Sequence, residues 1–243
     1  MMQPSPNEFI QAIQRERDNQ TSTSVLSAYE TPLVTVDIVI FTVHEKQLKV
    51  LLIKRKSEPF IHQWALPGGF LHIGESLHEA AERRLFEETH VEGVFLQQIR
   101  AFGKPKRDPR ARVITIGFYA LVSSDKLTLE AAANAEDVGW HSVQDALELA
   151  FDHQVIINTA LKTLNENLED TPIAFQLLAK EFTLSELQHV YELIQKKELD
   201  KRNFRKKVLA SKLVRETGNV RKDGRHRPAQ LYEFTHPLTT EVY

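Results

Sequence analysis

Cysteine is absent from all 243 residues, which excludes a disulfide framework and any zinc site built on thiolates. A reducing compartment, the cytoplasm, is the expectation. Long apolar runs are missing too. No stretch approaches the roughly 18 residues that a membrane-crossing helix needs, and the polar opening MMQPSPNEFIQAIQRERDNQ holds no apolar core of a secretory leader. No membrane partner is therefore expected. Glycine and proline are scarce, at 9 and 10 residues. That excludes a collagen-like or low-complexity chain and draws attention to their one cluster, Pro67-Gly68-Gly69.

Net charge is small, −2, but unevenly placed. Lys201 to Arg227 holds eleven Lys and Arg against two acids, a net +9. The remainder, with 20 basic and 31 acidic residues, carries −11. A basic binding module attached to an acidic body accounts for this asymmetry.

Residues 1–30 read as an N-terminal helix or arm. Leu33 to Arg55 contains two β-branched apolar runs around the turn His44-Glu45-Lys46-Gln47, a β-hairpin pattern. Trp64–Phe70 (WALPGGF) predicts a short strand or loop with a tight bend, and Ser76–Thr89 a helix. Gly93–Phe102 and Val113–Val122 predict strands, Asp137–His141 a further short strand, Ser142–Leu149 the start of a helix, and 152–167 a helix. The polar, acidic run Asn165–Pro172 (NENLEDTP) marks the domain boundary. The expected organisation is thus α+β, with one unit over 31–165 and a smaller one over 173–236.

Within GFLHIGESLHEAAERRLFEETHV, Gly69 is followed after five residues by Glu75, and after seven more by Arg83, Leu85, Glu87 and Glu88. This run resembles the Nudix box, and WALPGGF before it resembles the usual lead-in. The resemblance implies an α/β/α sandwich. Intact members hydrolyse nucleoside diphosphates linked to another moiety, with Mg²⁺ or Mn²⁺ held by the box glutamates. Two positions depart from the pattern: Arg84 stands where the family has Glu, and His90 where it has Gly. At about 100° per residue, 84, 87 and 88 share one helical face. Arg84 can pair with Glu88 and occupy the cation's place; alternatively it extends outward and leaves Glu87 and Glu88 to bind metal. Arg83 stands i,i+4 to Glu87 and, by the resemblance, organises the glutamates. No catalytic residue is assigned with assurance; Gly69, Glu75, Arg83, Arg84, Glu87 and Glu88 are vestiges of the box. Glu136 and Asp137 are the nearest candidates for a downstream base.

Gly103–Arg112 (GKPKRDPRAR) is a basic loop between two strands, with its tip expected at the surface. It resembles segments of ADP-ribose-handling Nudix members and of Nudix-derived regulators. Arginine forks suit phosphate, so Arg107 and Arg110 are the ligand candidates; the alternative is a solvated turn.

Thr183-Leu-Ser-Glu186 is a capping box, followed by Leu187, Val190, Tyr191 and Ile194 on one apolar face. Asp200 then caps KRNFRKKVLASKL, where Phe204 and Val208 oppose Arg202, Arg205 and Lys206. Two β-prone runs follow around a basic loop with Asp223-Gly224 at its tip. Residues 173–236 resemble a winged helix, whose recognition helix enters the major groove. FTLSELQ, LDKRNFRKKV and RPAQLY resemble the C-terminal domain of Nudix-related transcriptional regulators, a group with NAD-metabolism repressors and sugar-responsive relatives. Candidate DNA contacts are Arg202, Arg205 and Lys206, then Lys201, Lys207, Lys222, Arg225 and Arg227; a protein-contact role is the alternative.

The resemblance implies a homodimeric repressor that binds double-stranded operator DNA and responds to ADP-ribose, a related NAD metabolite or a sugar, with no required cofactor. The other expectation is an ADP-ribose-type pyrophosphatase that retains Mg²⁺- or Mn²⁺-dependent activity despite Arg84. A protein-interaction adaptor stands third.

Overall fold

The computed structural model of the chain describes residues 31–90, 93–124, 135–145, 147–170, 172–222 and 228–235. The N-terminal arm expected over 1–30 and the wing tip at 223–227, with Arg225 and Arg227, lie outside the described residues.

β1 (Leu33–His44) is the centre of a mixed sheet, and eight successive residues from Thr35 to Thr42 are buried. Burial on both faces explains its continuous apolar run, since a strand covered on one face alone would alternate. One edge of β1 pairs in parallel with β6 (Val113–Leu121) from Leu33↔Val113 to Phe41↔Leu121. Its other edge is shared. The end of β1 turns through Glu45-Lys46 into antiparallel β2 (Gln47–Arg55), while its start pairs with β4 (Gly68–Phe70) at Thr35↔Phe70 and Asp37↔Gly68. β2 therefore departs from β1, pairing instead with β3 (Trp64–Ala65) and β7 (Ala135–Ser142). β5 (Phe95–Phe102) closes the far edge against β6. The fork between β2 and β4 opens a cleft at the start of β1.

Helix α1 (Leu77–Thr89) begins at Ser76, whose hydroxyl accepts from the Glu79 N–H while Glu79 accepts from the Ser76 N–H. It ends at His90, held in the left-handed region at φ 54°, the conformation glycine adopts at lowest cost. Ala80, Ala81 and Leu85 bury one face of α1 against Val36, Ile38, Ile40, Phe118 and Ala120. On the opposite sheet face, α2 (His153–Asp170) packs Ile156, Ala160 and Leu164 against Val39, Phe41, Tyr119 and Leu121. This is the sandwich that the box resemblance implied.

One local expectation is corrected. Ser142–Leu149 starts no helix among its described residues: Ser142 is the last residue of β7, the Asp145 N–H closes a turn onto the Ser142 carbonyl at 3.0 Å, and Leu149 bridges to Trp64. The polar run from Asn165 begins inside α2, which continues to Asp170 and carries Leu164 and Leu168 into the core. Pro172 follows, and a 3₁₀ turn, Ile173–Leu177, leads onward.

The C-terminal unit comprises α3 (Leu184–Gln195), α4 (Lys201–Ala210) and the antiparallel pair β8 (Val214–Arg221) and β9 (Ala229–Phe234). The expected capping box is present: Thr183 Oγ1 accepts from the Glu186 N–H at 3.1 Å, and Glu186 accepts from the Thr183 N–H at 2.7 Å. Helix order and β-hairpin are those of a winged helix. Its core is continuous with the α2 side of the sandwich, through Ile173, Phe175, Phe182, Leu187 and Phe204. His189 Nε2 on α3 also lies 3.1 Å from the Lys46 carbonyl in the β1–β2 turn. Among the described residues, no helix is long and apolar enough to cross a membrane.

Candidate functional site

The fork beside β1 holds a cavity of about 260 Å³ whose lining joins β1, β2, β4, α1, the 103–112 loop and the chain entering α2. Five cations line it, Arg55, Lys56, Arg84, Arg107 and Arg110, against two carboxylates, Asp37 and Asp108. Such a surplus in a recess suits a ligand carrying several negative charges.

The loop places its arginines differently from one another. Arg107, expected near an exposed tip, has a side chain only 3% exposed. Its guanidinium donates to Asp152 at 2.7, 3.1 and 3.2 Å and to Asp37 at 3.2 Å. Burial of that charge requires such partners. It still forms part of the cleft wall. Arg110 is the accessible one, at 44% side-chain exposure; it is oriented by Asp108 at 2.7 Å and lies over the rings of Phe70 and Phe151. Arg55 donates to the Pro59 carbonyl at 2.7 Å and stacks over Phe151 at 4.9 Å. Burial, then the neighbouring Arg110, holds the Arg55 guanidinium below the usual arginine range. The cleft thus offers cations and two aromatic faces, Phe70 and Phe151, a combination that fits phosphate joined to a flat ring.

On the box helix, Arg83 donates to Glu75 at 2.7 and 3.0 Å and to Glu87 at 3.2 Å. Hydrogen bonds from Arg83, then from the His72 N–H, hold the Glu75 carboxyl down at about 2. Arg84 does not extend outward. Its Nη1 donates to Glu87 Oε2 at 2.6 Å, and its guanidinium lies on Gly69, where a Cβ would collide with it. Burial pushes the Glu87 carboxyl up, but bonds from Arg84 and Arg83 outweigh that and leave it below the usual range. Glu88, on the same face, is 1% exposed.

This donor set does not fit a divalent cation. A box helix that binds metal presents carboxylates to it, whereas here two guanidinium groups occupy Glu75 and Glu87. Among the described residues, no three His, Asp or Glu side chains group as metal ligands would. Glu136 and Asp137 are absent from the cleft lining. Glu136 pairs with His62 at 2.6 Å and Lys54 at 3.2 Å, and Asp137 accepts from the Val138 N–H.

Sequence reasoning missed Asp37, Arg55, Phe151, Asp152 and His153. One signal was available: Asp37 interrupts the apolar run LVTVDIVIF, and a carboxylate there needs a buried partner.

In the C-terminal unit, α4 presents Lys201, Arg202, Arg205, Lys206 and Lys207 to solvent, while Phe204 is buried and packs edge-on against Tyr191 at 5.4 Å. Asp200 caps the helix by accepting from the Asn203 N–H at 2.8 Å. Lys222 is exposed at the end of β8. One helix therefore carries an anchoring apolar side chain, Phe204, and five solvent-exposed cations, of which Lys206 and Arg202 point most directly away from it.

A family model described as "NUDIX domain" matches residues 31–160, and another described as "NrtR DNA-binding winged helix domain" matches residues 174–234. The chain is 38% identical over 212 residues to the "ADPR responsive transcriptional repressor NtrR" of Acinetobacter baylyi, covering 86% of this chain and 84% of that protein. It is also similar to the crystal structure of Shewanella oneidensis NrtR complexed with a 27mer DNA, with a TM-score of 0.73 and 36% identity over 83% of this chain and 93% of that one. The NUDIX domain of the same Shewanella oneidensis protein, in a cocrystal with ADP ribose, matches with a TM-score of 0.55 and 36% identity over 61% of this chain and 98% of that one.

Proposed function

The chain belongs to the NUDIX family, with an NrtR-type DNA-binding winged helix at its C-terminal end, and on that premise we propose that it is an ADP-ribose-responsive transcriptional repressor. The observation that carries this reading is that a cationic, aromatic-lined cleft and an exposed basic helix share one hydrophobic core. ADP-ribose brings a diphosphate for the arginines and an adenine for Phe70 or Phe151. A free sugar has no use for five cations, which favours the nucleotide.

Arg202, Arg205 and Lys206 contact operator DNA first, with Lys201, Lys207, Lys222, Arg225 and Arg227 in support. Each phosphate contact releases counterions and adds to salt dependence. A homodimer acting in the cytoplasm would present two such helices to a pseudo-palindromic operator. Ligand in the cleft acts through α2: Asp152, bonded to Arg107, gives its carbonyl to the Val155 and Ile156 N–H groups, and Leu168 at the far end joins the core of the winged helix. A modest coupling of about 1–3 kcal/mol suffices for a switch.

The box helix lacks the carboxylate face that hydrolysis needs, so the chain binds ADP-ribose without cleaving it. The test is fluorescence anisotropy on labelled DNA from the gene's own upstream region, with nonspecific competitor at stated salt. The expected result is competitor-resistant binding whose affinity ADP-ribose changes by about 5–150-fold. Binding no tighter than to random DNA, or indifferent to ADP-ribose, would overturn it. Rapid Mg²⁺-dependent turnover of ADP-ribose would favour the pyrophosphatase reading.

A further inference from the structure

Glu75 and the helix glutamates Glu79, Glu82, Glu87 and Glu88 against Arg83 and Arg84 leave the box segment at −3. A carboxylate at position 84 would make it −5, and one bound divalent cation would return it to −3. The Arg at this position therefore reproduces the charge of a metal-loaded box helix. Its location matches its charge. The guanidinium is pinned between α1 and β4, against Gly69 and Glu87, and lines the same cleft as Arg55, Arg107 and Arg110. Its side chain is 19% exposed, so it is fixed without being sealed. Its Nε is buried with no hydrogen-bond partner.

We propose that Arg84 is a built-in replacement for the divalent cation, receiving the ligand's diphosphate directly, so that effector binding in this chain is independent of metal. Arg107 already pairs with Asp37 and Asp152 and positions the cleft wall, whereas Arg84 stands at the box position where the family pattern has a carboxylate and lines the same cleft. A fixed guanidinium presents a fork of donors to phosphate oxygens. It cannot activate water, because it holds no coordinated hydroxide. Binding is thereby separated from hydrolysis, which preserves the signal molecule. This inference rests on the ADP-ribose reading of the cleft.

The test is calorimetric titration of the full chain with ADP-ribose, in EDTA and in MgCl₂. Wild type is expected to bind equally in both, within about twofold. Arg84→Met should weaken binding by roughly tenfold or more in both, the loss of a charged hydrogen bond, and Arg84→Lys should recover part of it. Arg84→Glu should bind only with Mg²⁺ present. Operator binding and the thermal transition of each variant establish that it is folded. Wild-type binding that EDTA abolishes, or an Arg84→Met variant that binds as tightly as wild type, overturns the role of Arg84 and leaves the ADP-ribose reading standing. Wild type that binds no ADP-ribose in either buffer overturns both.

Discussion

Buried Arg107 and half-buried Asp152, 45 positions apart, form a pair in which Nε and Nη2 of the arginine reach both carboxylate oxygens at 2.7–3.2 Å. Nη2 also reaches Asp37 on the central strand at 3.2 Å. The pair joins the cleft loop to the first turn of α2 and to β1. Removing one partner of such a pair leaves an uncompensated buried charge. Arg107→Ala is expected to lower stability by about 3–5 kcal/mol, read from the urea midpoint at constant slope. A loss below about 1 kcal/mol would mean that Asp37 and Asp152 find water or other partners.

His153 supplies a pH dependence. It is fully buried, and its Nδ1 accepts from the Leu66 N–H at 2.8 Å, which leaves the proton of the neutral ring on Nε2. Burial lowers its pKa; Asp37 and Asp152 pull it up, Arg107 and Arg55 push it down, and the net shift is downward. The unfolded chain takes up a proton near pH 6.5 that the folded one refuses. This contribution is therefore complete above about pH 6.5 and is lost as pH falls below it. His153→Asn keeps an acceptor for Leu66 and cannot titrate. Its stability curve between pH 6.5 and 5 should be flatter than that of wild type. Glu75 acts in a separate window, since its effect is present above about 4.5 and lost as pH falls toward 2. Parallel curves for wild type and the variant would remove His153 from the account.

Arg205 is exposed on α4, a helix that carries no acidic residue. Arg205→Ala is expected to weaken operator binding and, if the contact is to phosphate, to reduce the slope of log K against log salt by about 0.9. If the residue reads a base, the loss concentrates on one operator position and the slope stays as it was. Unchanged affinity on every sequence would remove Arg205 from the interface.

Phe175 sits where the two units meet, with ring centroids 5.4 Å from Phe182 and 4.5 Å from Phe234. Because one core runs through both units, the chain should unfold in a single calorimetric transition. Phe175→Ala, which removes a large buried ring, is expected to cost about 3–5 kcal/mol and to shift that transition as a whole. Two separate transitions in wild type would show that the units fold independently.

Local features were legible wherever the interaction spans a few residues. The Thr183–Glu186 box, the Asp200 cap, the turn at Glu45-Lys46 and the opposed faces of α4 all involve neighbours in sequence, so spacing alone predicts them. Ser142–Leu149 misled because its start is held by strand pairing: β7 runs through Ser142, opposite Lys49, and Leu149 bridges to Trp64, partners far away in the chain. Asn165–Asp170 is polar in sequence yet helical, because Leu164 and Leu168 anchor α2 through contacts with residues far away in the chain.

The sequence by itself determined the two units, the register of the box helix, the two departures at Arg84 and His90, and the basic face of α4, because helical periodicity and charge are properties of neighbouring residues. Only the tertiary structure decided that Arg110 stays accessible and Arg107 does not, since Arg107 is claimed by Asp37 and Asp152, residues 70 and 45 positions away. It also decided that Arg84 turns inward onto Gly69 and that both units share one core. A buried charge takes whichever partners the fold brings within reach, and that proximity is set by how strands and helices pack.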